Sequence, residues 1–194
     1  MKTLVAIPLV ALVSIAQPAG PPDAPPGRNR KQLIAADLPA IGPHHRMVPV
    51  EHQVTGPDGW TGTITGSYTE LATGLNRFDA DSGEWIPARA EFEQAGDGHM
   101  IARHTQHQAI LAPDLQTEGA VDLLTPDGVR LRSTILGLGV LDTANGRNFL
   151  LAEVQPAAPV MVSPTEVIYP DAFDGVRADV RYRLGLDRFE QDLI

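Results

Sequence analysis

Turn chemistry interrupts this chain too often for a long helix to fit. Pro57-Asp58-Gly59, the polar stretch at residues 79–83, Pro126-Asp127-Gly128, Asn145-Gly146 and residues 185–187 each combine a conformationally free glycine with Asp, Asn or Pro. With the further breaks between them they divide the chain into on the order of ten short strands, with a turn about every 8 to 12 residues. Between them the apolar residues alternate. Val121 and Leu123 flank Asp122, and Val129 and Leu131 alternate with Arg130 and Arg132. Val180, Tyr182 and Leu184 alternate with Arg181 and Arg183. A period of two is the mark of a strand with one dry and one wet face.

The fold class expected is therefore all-β: an antiparallel multi-hairpin sandwich or an irregular multi-sheet domain, preceded by a signal peptide and a Pro-rich linker. In "TILGLGVLDTANGRNFLLAEV", Leu136, Leu138 and Val140 are expected on one face, with Gly137 and Gly139 opposite, leaving room for another backbone or a ring. Asn145-Gly146 reads as a two-residue hairpin turn. Tyr169, Phe173, Val180, Tyr182 and Phe189 are the expected C-terminal core, and Trp85 the anchor of an earlier hairpin. Only "HMIARHTQHQAIL" leaves helix and strand in competition.

The N-terminus carries an address. Lys2, an apolar run from Leu4 to Val13, and the small residues Ser14 and Ala16 have the order of a secretory signal. The run is too short for a helix of about 20 residues that spans a bilayer, so no membrane span is expected after signal removal. This gives residues 1–16 as signal peptide, 17–45 as Pro/Gly-rich linker and 46–194 as a β-rich domain, truncated at its C-terminal end if "RFEQDLI" is a strand cut short. The expected location is secreted, cell-surface or periplasmic.

With 43% hydrophobic residues, 194 positions suffice for one core. The formal charge of −9 repels phosphate backbones, and the one dense basic run, "GRNRKQ", is brief, so nucleic acid is excluded as a partner. With no cysteine there is no disulfide, thiolate metal site or cysteine nucleophile.

Candidate chemistry rests on histidines and carboxylates. Of His44, His45, His52, His99, His104 and His107, the last three are the candidate ligands of a zinc site in a secreted hydrolase. His104 and His107 share a face on a helix and lie on opposite faces of a strand. Asp79, Asp81 and Glu84 around Gly83 resemble a partial calcium loop, or else form a plain hairpin turn. Glu91 and Glu93 share a strand face, as a glycosidase pair or as a solvated edge. No serine lies in a G-x-S-x-G elbow, and no phosphate-cradling glycine loop leads from a strand into a helix. No catalytic residue is assigned. Trp60 and Trp85 are candidate stacking platforms for a glycan.

The stretches "TELATGLNRFDADSGEWIPA", "LLTPDGVRLRSTILGLGVLD" and "VIYPDAFDGVRADVRYRLGLDRFEQDLI" resemble the N-terminal region of large secreted bacterial proteins that carry YD (RHS-type) repeats or lectin-like modules further on. The resemblance spans residues 61–194. It implies a non-catalytic leader module whose partners are downstream modules and a cell-surface or glycan ligand. It brings no site residues and no cofactor.

Overall fold

A computed structural model describes residues 41–194 in full and residues 4–13 by their backbone. Every regular element among them is a strand, as the alternating pattern requires. No helix among them is long and apolar enough to cross a membrane. The expected cleavage residues Ser14 and Ala16, and the linker up to residue 40, lie outside the described residues. Leu4–Val13, the expected signal core, forms strand β1.

The chain divides into two compact units, Pro21–Ala88 and Met1–Gly20 with Arg89–Ile194. The sequence reading placed one domain from residue 46, whereas the division falls after Ala88, and strand structure already begins at Ile41, inside the expected linker.

The smaller unit is a three-stranded sheet, β2 (Ile41–Gly42), β3 (His45–Thr55) and β4 (Thr61–Leu71), with a hairpin of β5 (Asn76–Asp79) and β6 (Glu84–Pro87). Pro57-Asp58-Gly59 turns β3 into β4, with Gly59 at a φ of 75° and its N–H donating to Gly56 O. Asn76 is fully buried, and its Nδ2 donates to Gly42 O (2.6 Å) and His45 O (3.0 Å). One amide thereby ties the hairpin to the start of the sheet. Phe78 and Trp85 face each other across β5 and β6, edge to face at 5.6 Å, so Trp85 does anchor this hairpin.

The larger unit stacks two antiparallel sheets. The first has the order β1, β11 (Arg130–Asp142), β10 (Val121–Leu124), β9 (Gln108–Leu111), β8 (Met100–Ala102), β7 (Glu93–Gln94), with β12 (Arg147–Glu153) also on β11. The second runs β13 (Val160–Ser163), β14 (Glu166–Tyr169), β15 (Val180–Leu184), β16 (Phe189–Leu193). Met100, Leu111 and Val121 point inward from one sheet, and Val167, Tyr169, Val180, Tyr182 and Leu184 from the other, into one buried cluster. This is the sandwich form of the expected class. Tyr182 stacks on Phe189 (5.5 Å, 13°) and meets Tyr169 edge-on (5.9 Å, 84°), while Tyr169 OH donates to Ala112 O at 2.5 Å, joining the layers.

Two expectations in the β11–β12 hairpin need correction. Leu136 does not join Leu138 and Val140 in the core; it is 46% exposed, because the ladder between β1 and β11 slips there, pairing Leu9 with Gly137 and Val10 with Ile135. Asn145-Gly146 is part of a four-residue loop, since Asp142 pairs with Arg147. The Asp142 carboxylate accepts from Ala144 N and Asn145 Nδ2, and Gly146 takes a φ of 69°. A side chain that caps the loop favours the longer turn.

Candidate functional site

Directly opposed residues share a face of a sheet. Along one ladder row, Glu93 of β7 faces Ile101 of β8, which faces Ile110 of β9, then Asp122 of β10 and Arg132 of β11. The adjacent row, from Gln94 through Met100, Leu111 and Val121, has its last three members in the core. The first row therefore lies on the outer face, with charged groups at both ends.

At one end stands the only group of three His, Asp or Glu side chains among the described residues whose ligand atoms lie within 4.8 Å of one another: Glu91, Glu93 and His104. Strand alternation builds it. Phe92 turns inward, 4% exposed, with its N–H on Pro164 O, so the carboxylates on either side turn outward together. His104 Nε2–H donates to Glu93 Oε1 at 3.0 Å and lies 3.9 Å from Glu91 Oε1. Arg89 reaches Glu91 at 3.1 Å and Arg103 reaches Glu93 at 3.1 Å. Two carboxylates and a histidine suit a divalent cation, but here two guanidiniums already balance the two carboxylates.

The expected trio His99, His104 and His107 does not assemble. "HTQH" is neither helix nor strand: Ala102 pairs with Ala109, and the residues between them form a bend held by a hydrogen bond from Thr105 Oγ1 to His107 O. The bend sends His104 outward to the carboxylates and His107 inward. His99 lies on the preceding turn, its Nδ1 3.0 Å from Asp97 Oδ2. His107 Nε2 lies 3.1 Å from Arg188 O, and since a carbonyl only accepts, Nε2 carries the proton. The bond ties the β8–β9 bend to the β15–β16 turn.

Burial pushes the His107 pKa below its ordinary 6.5, against opposing pulls from the Arg188 carbonyl and Asp187. The unfolded chain then binds a proton at a pH where the folded one does not. This contribution to stability is complete above pH 6.5 and is lost as pH falls toward the lower folded value. Replacing His107 with Gln, which keeps a donor, is expected to flatten the pH dependence below 6.5, by at most about 1.4 kcal/mol per pH unit. Urea unfolding of both proteins between about pH 8 and pH 5.5 checks this.

At the other end of the row, Asp122 is 8% exposed and accepts from Arg130 Nε (2.7 Å), Arg130 Nη2 (2.6 Å) and Arg132 Nε (3.0 Å). Burial raises its pKa, and these hydrogen bonds more than reverse that, leaving it below the usual carboxylate value. Alternation along the hairpin predicts these three side chains on one wet face, and the pairing of β10 with β11 closes them into a charge cluster.

Asp79, of the partial calcium loop, turns back on its own turn: it accepts from Ser82 Oγ at 2.7 Å and Ser82 N at 3.3 Å, with Gly83 at a φ of 71°. Asp79, Asp81 and Glu84 do not form a three-ligand group. In the smaller unit His44 Nδ1 accepts from Gly74 N, and His52 is exposed opposite Ile64. Trp60 is 63% exposed, and its ring covers Gly62, where a Cβ would come within 2.2 Å of it.

No family model, curated protein or solved structure matches the chain.

Proposed function

We propose that this chain is a non-catalytic structural module of an exported bacterial protein, folding as a leader and presenting the modules that follow it. One observation carries this reading: the histidines and carboxylates of the candidate site are committed to internal bonds. His107 holds the Arg188 carbonyl, His104 holds Glu93, Arg89 and Arg103 hold Glu91 and Glu93, and Tyr169 OH holds Ala112 O. Such bonds stiffen a scaffold, whereas an acid–base catalyst keeps a group poised toward substrate. The resemblance of residues 61–194 to leaders of YD-repeat and lectin-like proteins points the same way. On this reading, cleavage after Ala16 removes β1 and opens the β11 edge to water.

Two experiments test it. Sequencing the coding DNA past the Ile194 codon should find an open frame running into further modules; a stop codon there would remove the presenting role. Metal analysis of purified protein should find no stoichiometric zinc or calcium. About one equivalent of zinc, lost in His104→Ala, would show a metal site at Glu91, Glu93 and His104 and favour a metal-dependent hydrolase over this reading.

A second reading, a carbohydrate-binding module, is favoured by Trp60, whose ring rests on Gly62 while much of it remains open to solvent. Tryptophan fluorescence should then shift on adding neutral glycans, and Trp60→Ala should abolish the response. An unresponsive signal would leave the scaffold reading alone.

A further inference from the structure

Between the two charged ends of the outer row lies a groove of about 180 Å³ lined by Ile101, Ala102, Gln108, Ile110, Asp122, Leu124 and Arg130. Ladder pairing fixes its geometry. Ile101 faces Ile110 and Leu124 faces Gln108, so three half-buried aliphatic side chains form the floor. Leu124 also faces Arg130, which brings the guanidinium to the edge of the apolar surface.

The polar wall is prearranged. Asp122 lies beneath two arginines and holds both, while their side chains remain 57% and 50% exposed. Arg130 gives Asp122 two N–H donors and Arg132 gives one, of the five that each guanidinium carries. The three groups together carry one net positive charge in a chain of formal charge −9. A cationic fork with free N–H donors beside an aliphatic floor complements a ligand with one carboxylate and a hydrocarbon body. The volume sets the size, since sites for drug-sized molecules run from roughly 300 to 1,000 Å³.

We propose that this groove binds a short aliphatic monocarboxylate, its carboxylate on Arg130, with Arg132 held next to it by the shared Asp122, and its hydrocarbon chain over Ile101, Ile110 and Leu124. The site is independent of the scaffold reading and uses none of the residues of the Glu91, Glu93 and His104 cluster. Asp122 acts as a positioning residue, holding the guanidiniums still while cancelling one of their two charges.

The test is a titration of the methyl-labelled full chain, followed by NMR, with hexanoate, hexanol and hexylamine. Hexanoate should shift the Ile101, Ile110 and Leu124 methyls saturably. Hexanol, with the same body and no charge, should bind about tenfold more weakly or less, and hexylamine more weakly still. Hexanoate affinity should fall as salt rises. Arg130→Gln should weaken hexanoate about tenfold and leave hexanol unchanged, whereas Asp122→Asn, which uncovers the second positive charge, should tighten hexanoate several-fold. Equal binding of hexanoate and hexanol by the unmodified protein, or no shift of these methyls, overturns the proposal whether or not either variant folds.

Discussion

Replacing Tyr182 with alanine is expected to destabilise the larger unit by about 3 to 5 kcal/mol, the range for removing a buried aromatic. Tyr182 has no exposed surface, and it is the middle ring of three, stacked on Phe189 and edge-on to Tyr169. Its loss opens a cavity between the sheets and strips both neighbours of a partner. In a chain of this size the melting temperature should fall by roughly 6 to 20 °C. Tyr182→Phe keeps the ring and loses only the hydrogen bond from its hydroxyl to Gln191 Oε1 at 3.2 Å, so it should cost no more than about 1.5 kcal/mol. Thermal and urea unfolding of the two variants separate ring from hydroxyl. An unchanged melting temperature in Tyr182→Ala would contradict the packing of β15 against the first sheet.

The second large effect is expected at Gly137. A Cβ built there meets the Ala152 carbonyl oxygen at 2.4 Å and Leu150 Cδ1 at 2.8 Å. The leucine can rotate away, but a backbone carbonyl moves only if the β11–β12 ladder opens. Gly137→Val should therefore cost about 3 kcal/mol, the upper part of the overpacking range, and amide exchange along β12 should accelerate. Gly96→Ala is the control: a Cβ there has nothing within 4 Å and the backbone is not left-handed, so stability should stay within about 0.5 kcal/mol. A Gly137 variant as stable as that control would mean that the two strands do not approach as closely as described.

Gly137 also illustrates what was legible in advance. Two glycines facing away from leucines signal close approach of another backbone, and at Gly137 that backbone is β12. Turn chemistry was legible for the same local reason: Gly59 and Gly83 sit in the left-handed region that the Pro-Asp-Gly and Asp-Ser-Gly stretches require. The expected C-terminal core was legible from alternation, with Tyr169, Phe173, Val180 and Tyr182 buried and Phe189 packed against them.

The candidate site was not legible, because its parts come from different strands. A hairpin scan finds Asp122, Arg130 and Arg132, since β10 and β11 are consecutive. It does not place Glu91 and Glu93 beside His104, because that contact depends on the bend before β9, held by one hydrogen bond from Thr105. The same bend separates His104 from His107, which share a face only at helical spacing.

The sequence by itself determined the class of structure, through a period of two and turns that admit no long helix, and it determined which residues of β15 are dry. Tertiary structure alone decided that the chain forms two units, that Leu136 faces water, and that Ile101, Ile110 and Asp122 make one row. The physical reason is range. Turn preference and strand alternation are properties of neighbouring residues, whereas register, bulges and the face a row presents are set by pairing between strands distant in the chain.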